Sequence, residues 1–173
     1  MDTINIFSMG PIQPTIEEFV EQLKINHVTL STAESLTGGL IGAEITKIPG
    51  ISEFYKGGVI VYSNELKNTI LGVSEKLLQR FGPYNSTTTD QMANGVCSLT
   101  RTSASIAVSG VAGPSPDQGV EPGTVYITVK VNNMTMSAVH HFSGTRTEVR
   151  KQTVAYALGL FYDCLSGEGA YPF

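Results

Sequence analysis

Apolar positions recur along the chain in two periods, one suited to helices and one to strands. Thr15-Ile-Glu-Glu18 carries the reciprocal Thr-x-x-Glu pattern of a helix start, and Phe19 and Leu23 continue an apolar stripe at helical spacing. Residues 27–32 are short and β-branched and predict a strand. Residues 36–48 predict a helix, ended by Pro49 and Gly50. A second strand is predicted over 57–62, then a short helix over 65–71 that Gly72 stops, and a further turn or two over 74–81. Residues 86–101 predict a longer helix, and 104–109 a third strand. Two strands over 124–131 and 134–142 are joined by Asn132-Asn133, a compact hairpin signal. Residues 147–165 predict a closing helix.

Helices and strands alternate before the late hairpin, which argues for a mixed sheet covered by helices on both faces. No repeat or interdomain linker interrupts the pattern. One domain is therefore expected over 15–165, between an irregular arm over 1–14 and a tail over 166–173.

Composition narrows the function classes. The 173 residues are 41% apolar and 15% charged, a globular balance that can bury a real core. Net charge is −4, and the eleven Lys and Arg residues are scattered, so no nucleic-acid groove is expected. A local pocket can still be positive within an acidic chain. No apolar run approaches the ~20 residues of a membrane span, and residues 1–14 lack a basic-then-apolar leader pattern. Cys97 and Cys164 have no CxxC or His partner nearby and read as small core residues in a reducing compartment. These signs predict a protein of the cytoplasm. His140 and His141 are adjacent in a predicted strand and point to opposite faces, so they cannot share a metal. No metal or cofactor is expected.

Three constellations carry candidate chemistry. Ser35, in Thr32-Ala-Glu-Ser35-Leu-Thr-Gly-Gly39, sits where a strand hands over to a helix, facing the free N–H groups of the helix start. Gly38 and Gly39 permit close ligand approach; the plain alternative is that Ser35 caps the helix and the glycines serve packing. In Tyr62-Ser-Asn-Glu-Leu-Lys67, an N-cap at Asn64 puts Lys67 third in the helix, near the positive end of the macrodipole. With partial burial, that placement favours a neutral amine able to take a serine proton. Tyr62 can share the crevice and relay a proton, although a surface lysine and a core-edge tyrosine are the plainer alternatives. Ser109-Gly-Val-Ala-Gly113-Pro after a strand offers backbone N–H groups for an anion, or is simply a turn. It is not a Walker loop.

A fourth feature is Ser143-Gly-Thr-Arg-Thr-Glu-Val-Arg150. Thr145 and Glu148 make a capping-box pattern, and Arg146 and Arg150 lie four apart on one helix face. Stacked cations at a helix start repel each other and oppose the dipole, costs that a bound anion would offset. Pairing with acids such as Glu148 is the alternative.

The segments Ala33-Glu-Ser-Leu-Thr-Gly-Gly39, Lys56-Gly-Gly-Val-Ile-Val-Tyr-Ser-Asn-Glu-Leu-Lys67, Ser109-Gly-Val-Ala-Gly-Pro114, Gly123-Thr-Val125, Phe142-Ser-Gly-Thr-Arg146 with Arg150, and Gln152-Thr-Val-Ala-Tyr-Ala-Leu158 occur in this order. Together they resemble the CinA C-terminal domain family, including stand-alone nicotinamide-nucleotide amidases, from about Thr15 to Leu165. The resemblance implies a single-domain three-layer α/β/α fold with a mixed, mostly parallel sheet. It implies deamidation of nicotinamide mononucleotide to nicotinic acid mononucleotide and ammonia, with Ser35 as nucleophile and Lys67 and Tyr62 as acid/base partners. Substrate is then expected on Thr37, Gly38, Gly39, Asn64, Ser109, Gly110, Gly113, Thr124, Arg146 and Arg150. A homodimer or higher homo-oligomer is expected from the family. Larger CinA proteins add an N-terminal domain associated with nucleotide pyrophosphatase chemistry, and that second activity is not expected here.

The chain departs from the family pattern in three places. Gly82-Pro-Tyr-Asn-Ser86 replaces Gly-x-Val-Ser-Glu, so bulky Tyr84 is expected to reshape a pocket wall while Asn85 still caps the helix. Ser115-Pro-Asp-Gln-Gly119 is shorter and stiffer than the usual Gly-rich stretch, and Thr145 stands where an acid is usual. These changes bear on the substrate more than on the mechanism. Two alternatives follow: an amidase for another phosphorylated amide, or a homologue that binds pyridine nucleotides without turnover.

Overall fold

A five-stranded sheet of order β2-β1-β3-β4-β5 organises the chain in the computed structural model, which describes residues 14–167. Its strands are β1 (Leu30–Glu34), β2 (Tyr55–Ile60), β3 (Ala104–Gly110), β4 (Thr124–Val131) and β5 (Met134–His141). β1 pairs in parallel with both β2 and β3, while β3–β4 and β4–β5 are antiparallel. Only β4 runs against the others, so the strand directions are mostly parallel although the pairings divide equally. The Asn132-Asn133 hairpin is as expected: Val131 pairs with Met134, and Asn132 adopts φ 53°.

Among the described residues six α-helices cover the sheet: α1 (Ile16–Ile25), α2 (Leu40–Ile45), α3 (Asn64–Leu71), α4 (Glu75–Phe81), α5 (Ser86–Thr100) and α6 (Arg146–Ser166). Two apolar clusters define the outer layers. On one face, Phe19 and Leu23 of α1, Ile41 and Ile45 of α2, and Leu158 and Phe161 of α6 pack on Leu30, Ile106 and Ile127. On the other, Leu71 of α3, Leu78 of α4, and Met92 and Val96 of α5 pack on Ala33 and Ala107. The molecule is thus a three-layer α/β/α domain. No described helix is long and apolar enough to cross a membrane. The expected arm over 1–14 and tail over 166–173 lie almost wholly outside the described residues; α6 itself continues to Ser166, where Gly167 caps it.

Three expected elements shift. The strand expected over 27–32 is β1, displaced toward Glu34, because His27 takes φ 50° in the turn that ends α1. The strand expected over 57–62 starts and ends two residues earlier, at Tyr55 and Ile60. The helix expected over 36–48 shortens to α2, because Gly38 and Gly39 take φ 60° and 99°, outside the helical region.

Alternation along β1 places the site. Side chains at 30, 32 and 34 face the α1/α2/α6 layer, and those at 31 and 33 face α5. Ser35 continues the second set and Glu34 the first. The α5 side is lined with small residues, Ser31, Ala33, Ser105 and Ala107, so helix and sheet approach closely and Ser105 Oγ donates to the Ala93 carbonyl at 2.9 Å.

Close packing extends to α3 against α5. A Cβ at Gly95 would lie 2.1 Å from the Leu71 carbonyl oxygen, a backbone atom that cannot rotate away. Gly95→Ala should therefore destabilise the domain despite its better helix propensity, by about 1–3 kcal/mol for overpacking. Thermal unfolding should show a midpoint lowered by at least ~3 °C; an unchanged or raised midpoint would mean the helices yield freely.

Candidate active site

Lys67 is the most unusual side chain in the fold. It is 1% exposed, yet it carries an ammonium, and its Nζ lies 3.2 Å from Ser35 Oγ and 2.9 Å from the Val61 carbonyl. Ser35 is 5% exposed. Burial lowers the Lys67 pKa from its ordinary 10.5 to about 8. The group therefore binds its proton more weakly folded than unfolded. Stability rises with pH between about 8 and 10.5, and the cost of the buried charge is fully present below about 8.

The helix start differs from expectation. Ser63, not Asn64, caps α3: its Oγ accepts from the Leu66 N–H, so Lys67 is the fourth helical residue. Burial, rather than an end-on dipole, is what weakens its hold on the proton.

Ser35 precedes α2 by a tight turn, and the donors expected to face it are occupied elsewhere. Glu34, 2% exposed, accepts hydrogen bonds from Thr37 Oγ1 (2.7 Å) and from the N–H groups of Gly39 (3.0 Å), Ile41 (3.1 Å) and Gly42 (2.9 Å). The carboxylate thereby caps α2 from the opposite sheet face, where Gly39 has no side chain to do so. The α2 N-terminus is closed to an oxyanion. Leu36 and Ala112 line the cavity, and their N–H groups have no acceptor among the described residues.

Ser35 and Lys67 open into a cavity of about 410 Å³. Tyr62, Asn64, Gly110, Gly113 and Arg146, all expected at the site, line it too. Tyr62 is 61% exposed, and its phenol oxygen accepts from Arg146 at 2.8 Å instead of touching Ser35 or Lys67. Arg146 also donates to the Gly113 carbonyl at 2.8 Å and has no carboxylate partner among the described residues.

The remaining expected residues support the walls without lining them. Arg150 donates from its guanidinium to the Leu36 and Thr37 carbonyls, both at 2.9 Å, so it braces the Ser35 turn rather than a ligand. Glu148 pairs with neither arginine; it completes the Thr145 capping box. Thr37 is turned onto Glu34, and Gly38 and Gly39 form the turn beside Arg150. Ser109 Oγ donates to the Pro83 carbonyl at 2.9 Å, and Thr124 Oγ1 pairs with His141 Nδ1 at 3.1 Å. His140 instead stacks on Tyr156, so the two imidazoles diverge as strand alternation predicts.

Besides the main chain of Leu36 and Ala112, three side chains at the site lay outside the expected set, Glu34, Tyr84 and Asp117. Glu34 was legible from alternation: a carboxylate on a fully buried strand must find donors, and Thr37, Gly39 and Gly42 lie within reach. Tyr84 was expected only as bulk, but its phenol donates to Asp117 Oδ2 at the cavity mouth. Asp117 had no signal beyond its place in a Gly- and Pro-bounded loop.

Comparison with known proteins agrees with this architecture. The CinA C-terminal domain family model matches residues 12–165. A CinA-like protein of Endomicrobium trichonymphae is 43% identical over 147 residues, covering 84% of this chain and 34% of that protein. A CinA-like protein of Thermotoga neapolitana is 39% identical over 143 residues, covering 82% and 35%. The chain thus spans about a third of the length of the curated relatives it matches. Among solved structures, a competence-damaged protein (CinA) superfamily protein from Enterobacter cloacae superposes with TM-score 0.85 at 30% identity, over 95% of both chains. Competence/damage inducible protein CihA from Agrobacterium tumefaciens gives 0.79 at 33%, over 88% of this chain and 97% of that one.

Proposed function

The chain belongs to the CinA C-terminal domain family, and we propose that it is a metal-independent serine amidohydrolase of the cytoplasm that converts nicotinamide mononucleotide to nicotinic acid mononucleotide and ammonia. One observation carries the reading: a buried lysine amine with weakened proton affinity lies 3.2 Å from a serine hydroxyl at the base of an open cavity.

The chemistry runs on these side chains. Neutral Lys67 accepts the Ser35 proton as Oγ attacks the carboxamide carbon. The N–H groups of Leu36 and Ala112 are the available donors for the oxyanion. Collapse breaks the C–N bond, and Lys67 returns the proton to the departing amine, giving ammonia and an acyl-serine. Water, deprotonated by the same amine, then releases the carboxylate and restores Ser35. The Val61 carbonyl accepts an amine N–H throughout and keeps Nζ aimed at Oγ.

Arg146 supplies the place for the substrate's anion, because its charge reaches the cavity without a carboxylate partner. Arg146→Gln should raise KM for nicotinamide mononucleotide by about 10–100-fold while changing kcat little. A kcat loss with KM intact would place the arginine at the reacting atoms instead.

The direct test is ammonia release by purified protein from nicotinamide mononucleotide, beside free nicotinamide and the dinucleotide. Turnover of the mononucleotide alone supports the assignment. Turnover of a different phosphorylated amide would keep the chemistry and change the substrate. Binding with no product from any amide would leave a ligand-binding homologue.

A further inference from the structure

The cavity holds two opposite charges that do not meet. Arg146 is held by the Gly113 carbonyl and the Tyr62 phenol, and Asp117 by the Tyr84 phenol. Among the described residues the one ion pair joins Lys47 and Glu44, elsewhere on the surface. Opposite charges lining one cavity attract, and keeping them apart costs energy unless a ligand answers both.

Asp117 is positioned for such a role. Its loop is pinned by a reciprocal pair, Asp117 N–H to the Val120 carbonyl at 3.1 Å and Val120 N–H to the Asp117 carbonyl at 2.9 Å. Tyr84 is fixed in turn, because the carbonyl of Pro83 accepts from buried Ser109 and Asn85 caps α5. Burial, the bond to Asp117 and its charge all raise the Tyr84 pKa, with a smaller contribution from Tyr62, so the phenol stays a donor. It occupies Oδ2, and Oδ1 has no hydrogen-bond donor among the described residues of the cavity that Asp117 lines.

We infer that Asp117, held by Tyr84, is a specificity-determining residue whose carboxylate accepts hydrogen bonds from sugar hydroxyls of the substrate. An acceptor-only group selects donors, and a vicinal diol presents two. On the amide proposed above, the sugar then meets Asp117 while the anion meets Arg146. The inference rests on the amidase reading for its substrate and adds the residue that reads the sugar.

The test compares nicotinamide mononucleotide with its analogue lacking both ribosyl hydroxyls. The parent protein should prefer the hydroxylated compound by about tenfold or more in kcat/KM, through KM. Asp117→Ala should reduce that preference to within about twofold, and Tyr84→Phe should weaken it with kcat retained. An intact preference in Asp117→Ala, or an equal loss for both compounds, would overturn the assignment. Should the parent protein release no ammonia from either compound, the amidase reading fails separately. Calorimetric affinities of the same pair then decide: a preference that vanishes in Asp117→Ala supports the sugar contact, and none in the parent protein refutes it.

Discussion

Ser35→Ala is expected to lower ammonia release from nicotinamide mononucleotide by at least about 10³-fold, the scale on which removal of a covalent nucleophile acts. The fold should survive, because among the described residues the hydroxyl hydrogen-bonds only with Lys67 Nζ, which keeps the Val61 carbonyl as acceptor. Thermal midpoint and ligand affinity should both remain near those of the parent protein. Full turnover by the alanine variant would show that another group attacks the carbonyl, and the serine would then be a packing residue.

Lys67→Met should be comparably damaging to turnover, by about 10²–10⁴-fold, the range for loss of general acid–base catalysis. Its effect on stability should run the other way. A methionine fills the same buried channel without a charge to desolvate, so the unfolding midpoint at pH 7 should equal or exceed that of the parent. Inactivation accompanied by strong destabilisation would instead mark Lys67 as structural.

The pH profile gives the same assignment a second readout. With the Lys67 pKa lowered to about 8 by burial, the amine is mostly protonated at pH 6 and mostly neutral above 8. The catalytic rate should climb about tenfold per pH unit below 8 and level off above it. A rate flat from pH 6 to 9 would remove the amine from the proton-transfer step.

The helix caps show why part of this was legible beforehand. Thr15 with Glu18 and Thr145 with Glu148 form the capping boxes that their spacing announced, because both partners lie within one turn. The same holds for the Asn132-Asn133 hairpin and for Gly72 ending α3. The Ser35 turn was harder. Its two glycines were visible, but whether they opened a helix or delayed it depended on where Glu34 found its donors. Arg146 and Arg150 have the same charge and sit one turn apart, yet one enters the cavity and the other grips main-chain carbonyls. Nothing in their spacing separates those fates.

By itself, the sequence determined the order of elements and a mixed sheet covered by helices on both faces, and its motifs carried the family resemblance that made Ser35, Tyr62, Lys67 and Arg146 candidates. The elements follow from periodicity and caps, which act between residues close along the chain; that these four side chains line one cavity is a tertiary fact. Only the tertiary structure decided that Glu34 closes the α2 N-terminus, that Arg150 braces a turn, that Tyr62 answers Arg146, and that Tyr84 holds Asp117 at the mouth. Each is a competition among donors and acceptors brought together from distant segments, and burial settles it: a polar group cut off from water takes whichever partner the packing places within reach.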